Sequence, residues 1–427
     1  MRLPIYLSLF LLLPTHSQET RPAAAPEGVP AGVLKDIDAG FAQIRILTKA
    51  MELVRQNYVD ESKISYERLV ASALRGMMED LDPHSQYMTR ETYQQVQQTP
   101  ESTAEGTGLT IAPRSDGITV VSVREDGPAA RGGIMPGDQV LKIGADYTGQ
   151  ITFMDAVRLL KGSPGEPVSL TTWRPSSRET REISMVREAL RQETVRDAVL
   201  LDASMTGGAK IGYLRLLEFN GPTATELADA LDKLEEQGMQ ALILDLRNNP
   251  GGLLTATVEA CGEFLPPNTV VVTTEGRVAS QNPPPFKTPA RKRRSREYPL
   301  LVLVNHASAS GAELMAGALQ DLGRAVIAGT TTFGKGSVQS IIPGEDGTAI
   351  RLTTARYFTP KHRSIHGIGI VPDIMAPITP EEEKKLMDTL RDRAPGPVDA
   401  LKLARAGDRQ LERAATALQG VLAWRKK

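Results

Sequence analysis

Hydrophobic residues in the first part of the chain recur at helical spacing. Between Leu34 and about Val96, apolar positions return every three or four residues, which places them on one face of an α-helix. The segment LDPHSQY, residues 81 to 87, interrupts this pattern at Pro83. Without a sheet partner in reach, these helices are expected to pack on another part of the chain or on a second copy. The apolar face of the first helix is formed by Phe41, Ile44, Leu47, Met51, Val54 and Tyr58.

Residues 99 to 188 instead alternate apolar and polar positions over short runs. The runs GITVVSV (117–123), QVLKI (139–143) and PVSLTTW (167–173) have the period of two that is typical of β-strands. Turn sequences rich in glycine and proline separate them, and one helix is predicted from Phe153 to Leu160. The pattern predicts a small, mostly β module.

From Lys210 onward, apolar runs of strand length alternate with helical segments. The strands are predicted at IGYLRL, ALILDLR, VVVTT, LLVLVN and RAVIAG, and the helices at about 223–237, 253–264 and 310–322. Strands that alternate with helices predict βαβ crossovers and a largely parallel sheet that is buried on both faces. Beyond Pro380 the chain is charged and helical.

Charge and composition argue against several functional classes, such as nucleic-acid binding. A basic run, RKRRSR at 291–296, lies in a polar loop over 275–298; such a run can bind nucleic acid. Because the whole chain has a net charge of only −1, we interpret the run as a solvated loop and expect no nucleic-acid partner. The 427 residues, 41% of them hydrophobic, predict a globular protein of more than one domain. A single cysteine, Cys261, excludes an internal disulfide and argues against a thiolate zinc site.

The amino terminus has the pattern of an export signal. Arg2 precedes an apolar run from Leu3 to Pro14, and small polar residues follow up to Ser17 or Gln18. The run is too short to span a bilayer as a stable helix, so we predict a signal peptide cleaved near residue 17 or 18. A retained membrane anchor is the alternative. The mature protein is then expected in the periplasm or cell envelope, with peripheral membrane association left open.

The segment GTTTFGKGSVQS, residues 329 to 340, begins like a phosphate-binding loop. However, Lys335 is followed by Gly336 rather than by the Ser or Thr that ligates magnesium, and the sequence continues as a strand rather than a helix. Nucleotide binding is therefore not predicted. In a strand, Lys335, Ser337 and Gln339 would point to one face, where the lysine and the amide can hydrogen-bond or share a third group.

Ser308 to Gly311 lie at the start of the predicted helix 310–322. A serine there is either an N-cap or a nucleophile whose oxyanion is stabilised by the free helix N–H groups. Lys335 favours the nucleophile, because a lysine buried against a sheet loses its charge readily and can then accept the serine proton. The result would be a Ser–Lys dyad. The histidines of the mature chain are interpreted as polar or capping residues: His84, His306, His362 and His366.

The turn Pro250-Gly251-Gly252 joins the strand ALILDLR to the next helix. Its backbone N–H groups carry no side chain that would block the approach of a substrate, which suits an oxyanion donor. A tight strand-to-helix turn without a catalytic role is equally compatible with these residues.

Taken together, several segments resemble the carboxy-terminal processing proteases, also called tail-specific proteases. The likeness rests on DLRNNPGGLL, NHASASGAE, ALQDLGRAVIAGTTTFGKGSVQS and LTTARYFTP with SIHGIGIVPD, and it runs from LDPHSQY to VPDI. It implies an α/β fold with a crotonase/ClpP-like βα core, in which Ser310 is the nucleophile, Lys335 the general base and Gln339 its support. The family usually has S-A-S-A-S-E where this chain reads SASGAE, so Gly311 is a departure. The implied oxyanion-hole residues are Gly251, Gly252 and Gly311.

The β module is similar to a PDZ domain in the sequences EGTGLTIA, GPAARGGIMPGDQVLKI and FMDAVRLL. PDZ domains bind a C-terminal carboxylate at the N–H groups of a glycine loop and add the peptide as a strand. The GPAxxxGIxxGD pattern is also a purely structural turn framework. The residues implied in peptide binding are Gly106, Thr107, Gly108, Leu109, Thr110, Met154 and Val157.

The expected protein is an exported serine endopeptidase that binds the C-terminal tail of a protein and cleaves nearby bonds through an acyl-enzyme. No metal or cofactor is expected; the resemblance implies a homodimer or higher oligomer, and an adaptor protein stays open as a partner. The alternative is a PDZ-bearing scaffold with an inactive protease-like domain. The expected regions are a signal peptide (1–18), a linker (19–32), a helical region for dimerisation (33–98), the PDZ domain (99–188), the protease core (189–380) and a helical end (381–427).

Overall fold

The computed structural model describes residues 31–98, 105–114, 116–190, 193–290, 296–391 and 407–425. The predicted signal peptide therefore lies outside the described residues. Three short 3-10 helices accompany the α-helices, at Glu61–Lys63, Thr148–Gln150 and Ala279–Gln281. The α-helices are α1 (Ala31–Asn57), α2 (Tyr66–Leu81), α3 (Arg90–Gln98), α4 (Pro128–Arg131), α5 (Phe153–Leu160), α6 (Ala203–Thr206), α7 (Thr223–Glu236), α8 (Leu254–Cys261), α9 (Gly311–Asp321), α10 (Pro380–Arg391) and α11 (Arg409–Arg425).

The described strands form one mostly parallel sheet, two antiparallel sheets and an isolated two-stranded pair, β2 with β9. In chain order they are β1 (Gln86–Met88), β2 (Glu105–Gly106), β3 (Leu109–Arg114), β4 (Gly117–Val123), β5 (Gln139–Ile143), β6 (Asp146–Tyr147), β7 (Pro167–Arg174), β8 (Glu179–Val186), β9 (Glu188–Ala189), β10 (Val195–Leu200), β11 (Ile211–Leu216), β12 (Ala241–Asp245), β13 (Val270–Gly276), β14 (Phe286–Lys287), β15 (Leu300–Val304), β16 (Val326–Gly329), β17 (Ser337–Pro343), β18 (Ala349–Phe358) and β19 (Ile374–Met375).

The chain divides into two compact units, residues 1–72 and 73–427. The described part of the first unit consists of α1, a 3-10 turn and the first residues of α2. The helical pattern predicted there is confirmed. Several of its apolar residues are exposed, among them Phe41 by 66% and Ile44 by 58%. None of the described helices is both long and apolar enough to cross a membrane.

The β module of the second unit is an antiparallel sheet in the order β3-β4-β5-β7-β8, with α5 packed on it. The three predicted strands and the helix over 153–160 are confirmed. The helix begins at a capping box, in which the Thr152 and Asp155 side chains each bind the other's backbone N–H. The sequence pattern missed β8, because this strand buries only Ile183 and Met185 and exposes the rest of its length.

A six-stranded sheet in the order β10-β11-β12-β15-β16-β19 forms the centre of the protease-like core. All neighbouring pairs are parallel except the antiparallel pair β10 and β11. Alternate residues of β12 enter two different hydrophobic clusters. Leu242 and Leu244 pack with residues of α7, α8 and α9, whereas Ile243 packs with residues of α10 and α11. The predicted sheet, buried on both faces, is confirmed.

One predicted strand belongs to a different sheet. The run VVVTT became β13, which pairs antiparallel with β14 and β18 and does not enter the parallel sheet. This second sheet also contains β17 and β1, the latter formed by the end of the LDPHSQY segment. The expectation that all five apolar runs form one parallel sheet is therefore wrong for VVVTT. A short apolar run predicts a strand, but its partner depends on the path of the chain after α8.

The interpretation of the basic run is wrong for Arg296. Residues 291–295 lie outside the described residues, but Arg296 is only 8% exposed. Its guanidinium forms ion pairs with Asp232 and Glu235 of α7 and with the buried Glu263. Three carboxylates compensate for the desolvation of one guanidinium, so this residue fastens the loop to the core.

Candidate active site

Three loops meet at one edge of the parallel sheet. They follow β12, β15 and β16, which are neighbours in the strand order, and they carry the 250–252 turn, Ser310 and Lys335. Because parallel strands end at the same edge, segments that are far apart in sequence come together there. The topology thus places the predicted site residues of the core on adjacent loops.

Ser310 has a strained backbone at the first turn of α9. Its φ of 52° and ψ of −114° lie in a region that residues other than glycine rarely adopt. Within the described chain its hydroxyl makes no capping hydrogen bond, although the residue occupies the N-cap position. Backbone strain of this kind is found at functional sites, where the surrounding structure holds it in place. The hydroxyl is therefore free for chemistry at a helix N-terminus.

Ser308 is engaged in a structural role. It is fully buried, and its hydroxyl donates to the Leu246 carbonyl oxygen at 2.8 Å. The Ser308 hydroxyl oxygen also accepts a hydrogen bond from the Asn305 backbone N–H at 3.0 Å. These bonds tie the loop after β15 to the loop after β12 and leave Ser310 as the serine with an unused hydroxyl.

Glu313 binds the segments on both sides of the site. Its Oε2 accepts hydrogen bonds from the backbone N–H groups of Ser310 and Lys335, each at 2.8 Å. Its Oε1 accepts from the Gly334 N–H and from the Thr332 hydroxyl, each at 2.6 Å. The carboxylate is fully buried. Burial raises the pKa of Glu313, while the four donors act in the opposite direction by stabilising its charge.

Glu313 had no predicted role in the site. A signal was nevertheless present, because a glutamate three residues after an N-cap serine is the spacing of a capping box. Here the box is used in one direction: the Glu313 side chain accepts from the Ser310 N–H. The Glu313 carboxylate also accepts hydrogen bonds from Thr332, Gly334 and Lys335 and so holds the loop that contains the lysine.

Lys335 lies just before the strand in which it was predicted. β17 begins at Ser337, and its pairing with β18 shifts register between Val338 and Gln339, so simple strand alternation does not apply to the lysine. Ser337 and Gln339 do lie on one side, with Gln339 Nε2 donating to Ser337 Oγ at 2.9 Å. Burial lowers the pKa of Lys335, and Arg351 lowers it further, whereas Glu313 opposes this shift. Both main causes favour the neutral amine.

A histidine from the LDPHSQY segment lies in the electrostatic field of Lys335. Burial first, and then Lys335, lower the pKa of His84 to about 4, so its ring is neutral at physiological pH. Its backbone N–H donates to Asp82 Oδ1 at 2.7 Å. From the sequence, His84 was interpreted as a polar or capping residue. The Asp-Pro-His-Ser turn between a helix and a strand could have drawn attention to His84, but it did not indicate that Lys335 lies nearby.

The other histidines have local roles or none that the structure shows. His306 Nδ1 lies 3.6 Å from Glu383 Oε1. His362 stacks on Phe358 and places its Nε2 2.6 Å from Glu275 Oε1. The Nδ1 atom of His366 is buried without a hydrogen-bond partner among the described residues.

The glycine turn after β12 directly faces the nucleophile loop. Gly251 has a φ of 97°, and a Cβ added to it would lie 2.7 Å from the Ser310 Cβ and 2.6 Å from the Gly311 nitrogen. Gly252, at φ 141°, would clash in the same way with the Phe219 carbonyl oxygen at 2.0 Å. The Gly251 N–H donates to Asn249 Oδ1 at 2.8 Å. Only glycines allow this turn to approach Ser310 so closely.

Gly311, the departure from the usual family sequence, also lies in a tight space. A Cβ at this position would lie 2.5 Å from the Thr257 hydroxyl oxygen and 3.1 Å from the Phe219 ring. In this chain α8 and α9 approach each other closely enough that alanine would require a rearrangement. The glycine therefore fits its surroundings rather than loosening the turn.

The PDZ-like module presents an open edge and a glycine loop. Gly106 and Gly108 have positive φ values of 128° and 80°, and β3 is an edge strand in the order of its sheet. Next to them lies a cavity of about 500 Å³, which reaches Pro250 and Gly252 of the core. The predicted peptide-binding residues that line it are Thr107, Gly108, Leu109, Thr110 and Val157.

Gly106 and Met154, which were also predicted to bind the peptide, are not among the residues that line this cavity. A Cβ at Gly106 would lie 2.8 Å from the Leu160 carbonyl oxygen, so this glycine allows the loop to pack on α5. The Met154 sulfur contacts Arg351 Nη1 of β18 at 3.0 Å. Met154 thus connects the module to the strand beside the lysine loop.

The module also packs directly on the loops that contain Ser310 and Lys335. Ala112 and Val121 of its sheet form a cluster with Ala309, and Phe333 packs against it. The Arg114 guanidinium lies over the Phe333 ring, 4.0 Å from its centroid. Residues that adjoin Ser310 and Lys335 are therefore in contact with the strands at the peptide edge.

Comparison with known proteins decides the family. Residues 210–376 match the profile of "Peptidase family S41", residues 119–174 that of a "PDZ domain", and residues 18–92 that of "Activating protease CtpB N-terminal domain". A carboxy-terminal-processing protease of Bartonella bacilliformis is 39% identical over 344 residues, which are 78% of this chain and 75% of that protein. The chain belongs to peptidase family S41.

Further relatives agree with this assignment. A carboxyl-terminal-processing protease of Synechocystis is 34% identical, over 77% of this chain and 80% of that protein. The carboxy-terminal processing protease CtpB of Bacillus subtilis is 31% identical, over 81% of this chain and 70% of that protein. A solved photosystem II D1 C-terminal processing protease matches at a TM-score of 0.65 and 26% identity, covering 82% of this chain and 97% of that one.

Membership in family S41 confirms three expectations from the sequence. The fold is a mixed α/β protease core with a PDZ domain, the chain is related to carboxy-terminal processing proteases, and its enzyme class is serine-type peptidase. The roles of individual residues are not tested by these comparisons. Ser310, Lys335, Gln339 and the glycine turn enter the proposal below on the geometry described above.

Proposed function

We propose that this S41 peptidase is an exported endopeptidase that binds the C-terminal tail of a protein through its PDZ domain and cleaves nearby peptide bonds with a Ser310–Lys335 dyad. One observation carries the proposal: Glu313 Oε2 accepts the backbone N–H groups of both residues at 2.8 Å. A single buried atom thus fixes two loops that are 25 positions apart in sequence, and it does so next to a serine with an uncommitted hydroxyl.

The proposed chemistry uses a neutral lysine whose loop is held to the loop of the serine by Glu313. Ser310 Oγ attacks the carbonyl carbon of the scissile bond while the Lys335 amine accepts its proton. The oxyanion lies near the first N–H groups of α9 and the Gly252 N–H, where partial positive charge is available. The Gly251 N–H, which the sequence also implied as a donor, is already bound to Asn249 Oδ1. When the tetrahedral intermediate collapses, the C–N bond breaks and Lys335 returns the proton to the leaving amine. Water then hydrolyses the ester with Lys335 again acting as base, which restores Ser310.

A pair of serine variants tests the nucleophile. Ser310→Ala is expected to abolish cleavage of an unfolded protein substrate and to leave the fold intact, because the hydroxyl makes no capping bond. Ser308→Ala is expected to retain measurable turnover but to lower the free energy of unfolding by about 1–3 kcal/mol, since it leaves buried groups without their partner. Turnover that survives Ser310→Ala and disappears in Ser308→Ala would identify the other serine as nucleophile.

The lysine is tested by separating turnover from binding. Lys335→Ala is expected to remove turnover while a fluorescent peptide with a free C-terminus still binds with unchanged affinity. The rival function, a PDZ scaffold with an inactive core, predicts that wild-type protein binds the same peptide and cleaves nothing. Turnover retained by Lys335→Ala would remove the dyad from the proposal.

Tail recognition is supported by the continuity of the cavity from the PDZ loop to the glycine turn. A free carboxylate suits the N–H groups of a glycine loop, and an extended peptide can pair with the edge of β3. We expect a substrate with an amidated C-terminus to be cleaved with a KM raised about tenfold or more, because each 1.4 kcal/mol of lost binding is a factor of ten. Equal cleavage of amidated and free substrates would contradict PDZ targeting.

Export and dimer formation are part of the same proposal. The apolar run at the amino terminus supports export, and the exposed Phe41 and Ile44 of α1 support association through the first unit. Sequencing the amino terminus of protein from the cell envelope tests cleavage near residue 17 or 18; an intact terminus would indicate the retained anchor. Light scattering tests the dimer, which Phe41→Asp is expected to dissociate and the polar-face Lys49→Asp is not.

A further inference from the structure

We propose that Asp82 and Thr353 are positioning residues, which hold the Gln339 side-chain amide with its nitrogen turned away from Lys335 and its oxygen left for the lysine amine. The proposal rests on the role of Lys335 as general base. It extends the site beyond the core, because Asp82 lies in the segment predicted as part of the amino-terminal helical region.

A continuous chain of hydrogen bonds connects the three residues. Gln339 Nε2 lies 3.3 Å from Thr353 Oγ1, and Thr353 Oγ1 lies 3.2 Å from Asp82 Oδ1. Gln339 Nε2 also donates to Ser337 Oγ at 2.9 Å. Gln339 and Thr353 are direct partners in the pairing of β17 with β18, so the first link is fixed by strand register.

The chemistry of the groups fixes the direction of every bond. Burial acts to raise the pKa of Asp82, but hydrogen bonds from Ser85 and from the His84 and Ser85 N–H groups outweigh it and lower that pKa. Asp82 is therefore an ionised carboxylate, which only accepts hydrogen bonds. The Thr353 hydroxyl must give its single proton to Asp82 and can then only accept from Gln339. Hence Gln339 must present its NH2 group to Thr353.

The segment that supplies Asp82 is held rigidly. Asp82 Oδ1 accepts the backbone N–H groups of His84 and Ser85 at 2.7 and 2.9 Å. Ser85 Oγ donates to Asp82 Oδ2 at 2.8 Å and accepts the Thr353 N–H at 3.1 Å. Pairing of β1 with β18 follows directly, with Gln86 opposite Arg351. The carboxylate therefore keeps its position relative to β18.

The direction of these hydrogen bonds matters because a glutamine amide has an NH2 group that donates and an oxygen that accepts. With its NH2 group bound to Thr353 and Ser337, Gln339 has only its oxygen available for another partner. That oxygen can accept from the Lys335 amine and stabilise the ammonium formed when the serine proton is transferred. A flipped amide would present N–H groups to the ammonium and would oppose the transfer. Asp82 thus selects the orientation that assists the base.

The decisive variants are at Thr353. Thr353→Val removes the hydroxyl but conserves the shape, and Thr353→Ser keeps the hydroxyl. We expect Thr353→Val to lower kcat about tenfold with KM and the melting temperature nearly unchanged, and Thr353→Ser to restore kcat. In Thr353→Val the amide oxygen of Gln339 is no longer held toward the Lys335 amine, which lowers the pKa of Lys335. The acidic limb of the kcat profile should therefore move to lower pH. The other groups that act on Lys335 or His84 here, Arg351, Glu313, Asp82 and His366, are unchanged in both variants.

A double-mutant cycle separates this role from a structural one. In a Gln339→Ala background, Thr353→Val is expected to have no further effect on kcat, because the amide it positions is absent. Asp82→Ala and Thr353→Val are likewise expected to be non-additive. Additive effects in either cycle, or wild-type kcat and pH profile in Thr353→Val, would overturn the positioning role.

Two sets of variants distinguish an error in the positioning role of Asp82 and Thr353 from an error in the Ser310–Lys335 dyad. If Lys335→Ala retains turnover, the base has been misassigned and the proposed function fails. If Lys335→Ala and Ser310→Ala are both inactive while Thr353→Val behaves as wild type, the dyad stands and the hydrogen-bond chain through Asp82 has no catalytic role.

Discussion

Ser310 and Lys335 donate their backbone N–H groups to the same carboxylate oxygen, Oε2 of Glu313, each at 2.8 Å. The two residues therefore cannot move apart without breaking a charge-assisted hydrogen bond inside the protein. The other oxygen of Glu313 binds Gly334 and Thr332, so the whole lysine loop is fastened to the start of α9. This one side chain therefore joins the loop of the proposed nucleophile to the loop of the proposed base.

Glu313→Gln tests this arrangement with the smallest change of shape. Each oxygen of Glu313 faces two donors, so the glutamine NH2 group must meet donors in either orientation. We expect the free energy of unfolding to fall by about 1–3 kcal/mol, and kcat to fall by about a hundredfold as the loops shift. Denaturant unfolding and steady-state kinetics measure both. Glu345→Gln, at an exposed turn, is the control; equal behaviour of the two variants would contradict the role of Glu313.

Arg351 is expected to set the pH range of the enzyme. The neutral form of Lys335 is the active one, so kcat/KM should rise with pH and level off above the pKa of Lys335. Burial, and then the charge of Arg351, lower that pKa. Arg351→Met removes the second cause and should raise the pKa, which moves the acidic limb to higher pH and lowers kcat/KM at pH 7 by about three- to tenfold.

The control for this prediction is Arg356→Met on the same strand. Arg356 is exposed and is not among the charges that act on Lys335. Its pH profile should match that of the wild type. An acidic limb that stays in place in Arg351→Met would show that this arginine does not influence the base.

Gly251→Ala tests the contact between the glycine turn and the nucleophile. The added methyl group would lie 2.7 Å from the Ser310 Cβ, at a φ of 97° that alanine tolerates poorly. We expect kcat to fall by about a hundredfold or more, since displacements near 1 Å have effects of this size. Gly221→Ala, where a methyl group meets open space, should leave kcat unchanged. Normal kcat in Gly251→Ala would show that the turn does not restrain Ser310.

Asp408→Ala tests a buried ion pair that fastens the carboxy-terminal helix to the glycine-turn loop. Arg247 donates to both oxygens of Asp408 at 2.9 Å and also binds Asp245. Removal of one partner from a buried pair is expected to lower the free energy of unfolding by about 3–5 kcal/mol. Urea unfolding measures this.

The matched comparison for Asp408→Ala is Asp388→Ala. The Asp388 carboxylate pairs along α10 with the exposed Lys384 at (i, i+4) and with Arg391 at (i, i+3), and its loss should cost about 1 kcal/mol. Similar losses of stability in the two variants would mean that the pair of Arg247 and Asp408 contributes no more than a surface pair.

Much of the architecture followed from local patterns. The helix over 153–160, three strands of the PDZ domain and the alternation of strands and helices in the core were predicted from period and turn residues. They were confirmed because hydrophobic periodicity reports which side of each element is buried. The motifs around Ser310 and Lys335 likewise indicated the family, since they combine a helix start, a glycine turn and a lysine next to a strand.

Where local patterns failed, the deciding contacts came from elsewhere in the chain. The strand β13 has the composition of a core strand, yet its partners are β14 and β18. Arg296 lies in a basic run, yet three carboxylates from other segments surround it. Neither outcome depends on neighbours in sequence.

By itself, the sequence determined the elements, the enzyme family and the residues proposed for the chemistry, because these depend on short-range patterns and on residue types. Tertiary structure alone decided that Glu313 joins the loops of Ser310 and Lys335, and that Asp82 reaches Thr353 across 271 positions. The physical reason is the order of the strands: it brings loops and strand partners together that are remote in sequence, and no periodicity within a segment encodes which strand will lie beside it.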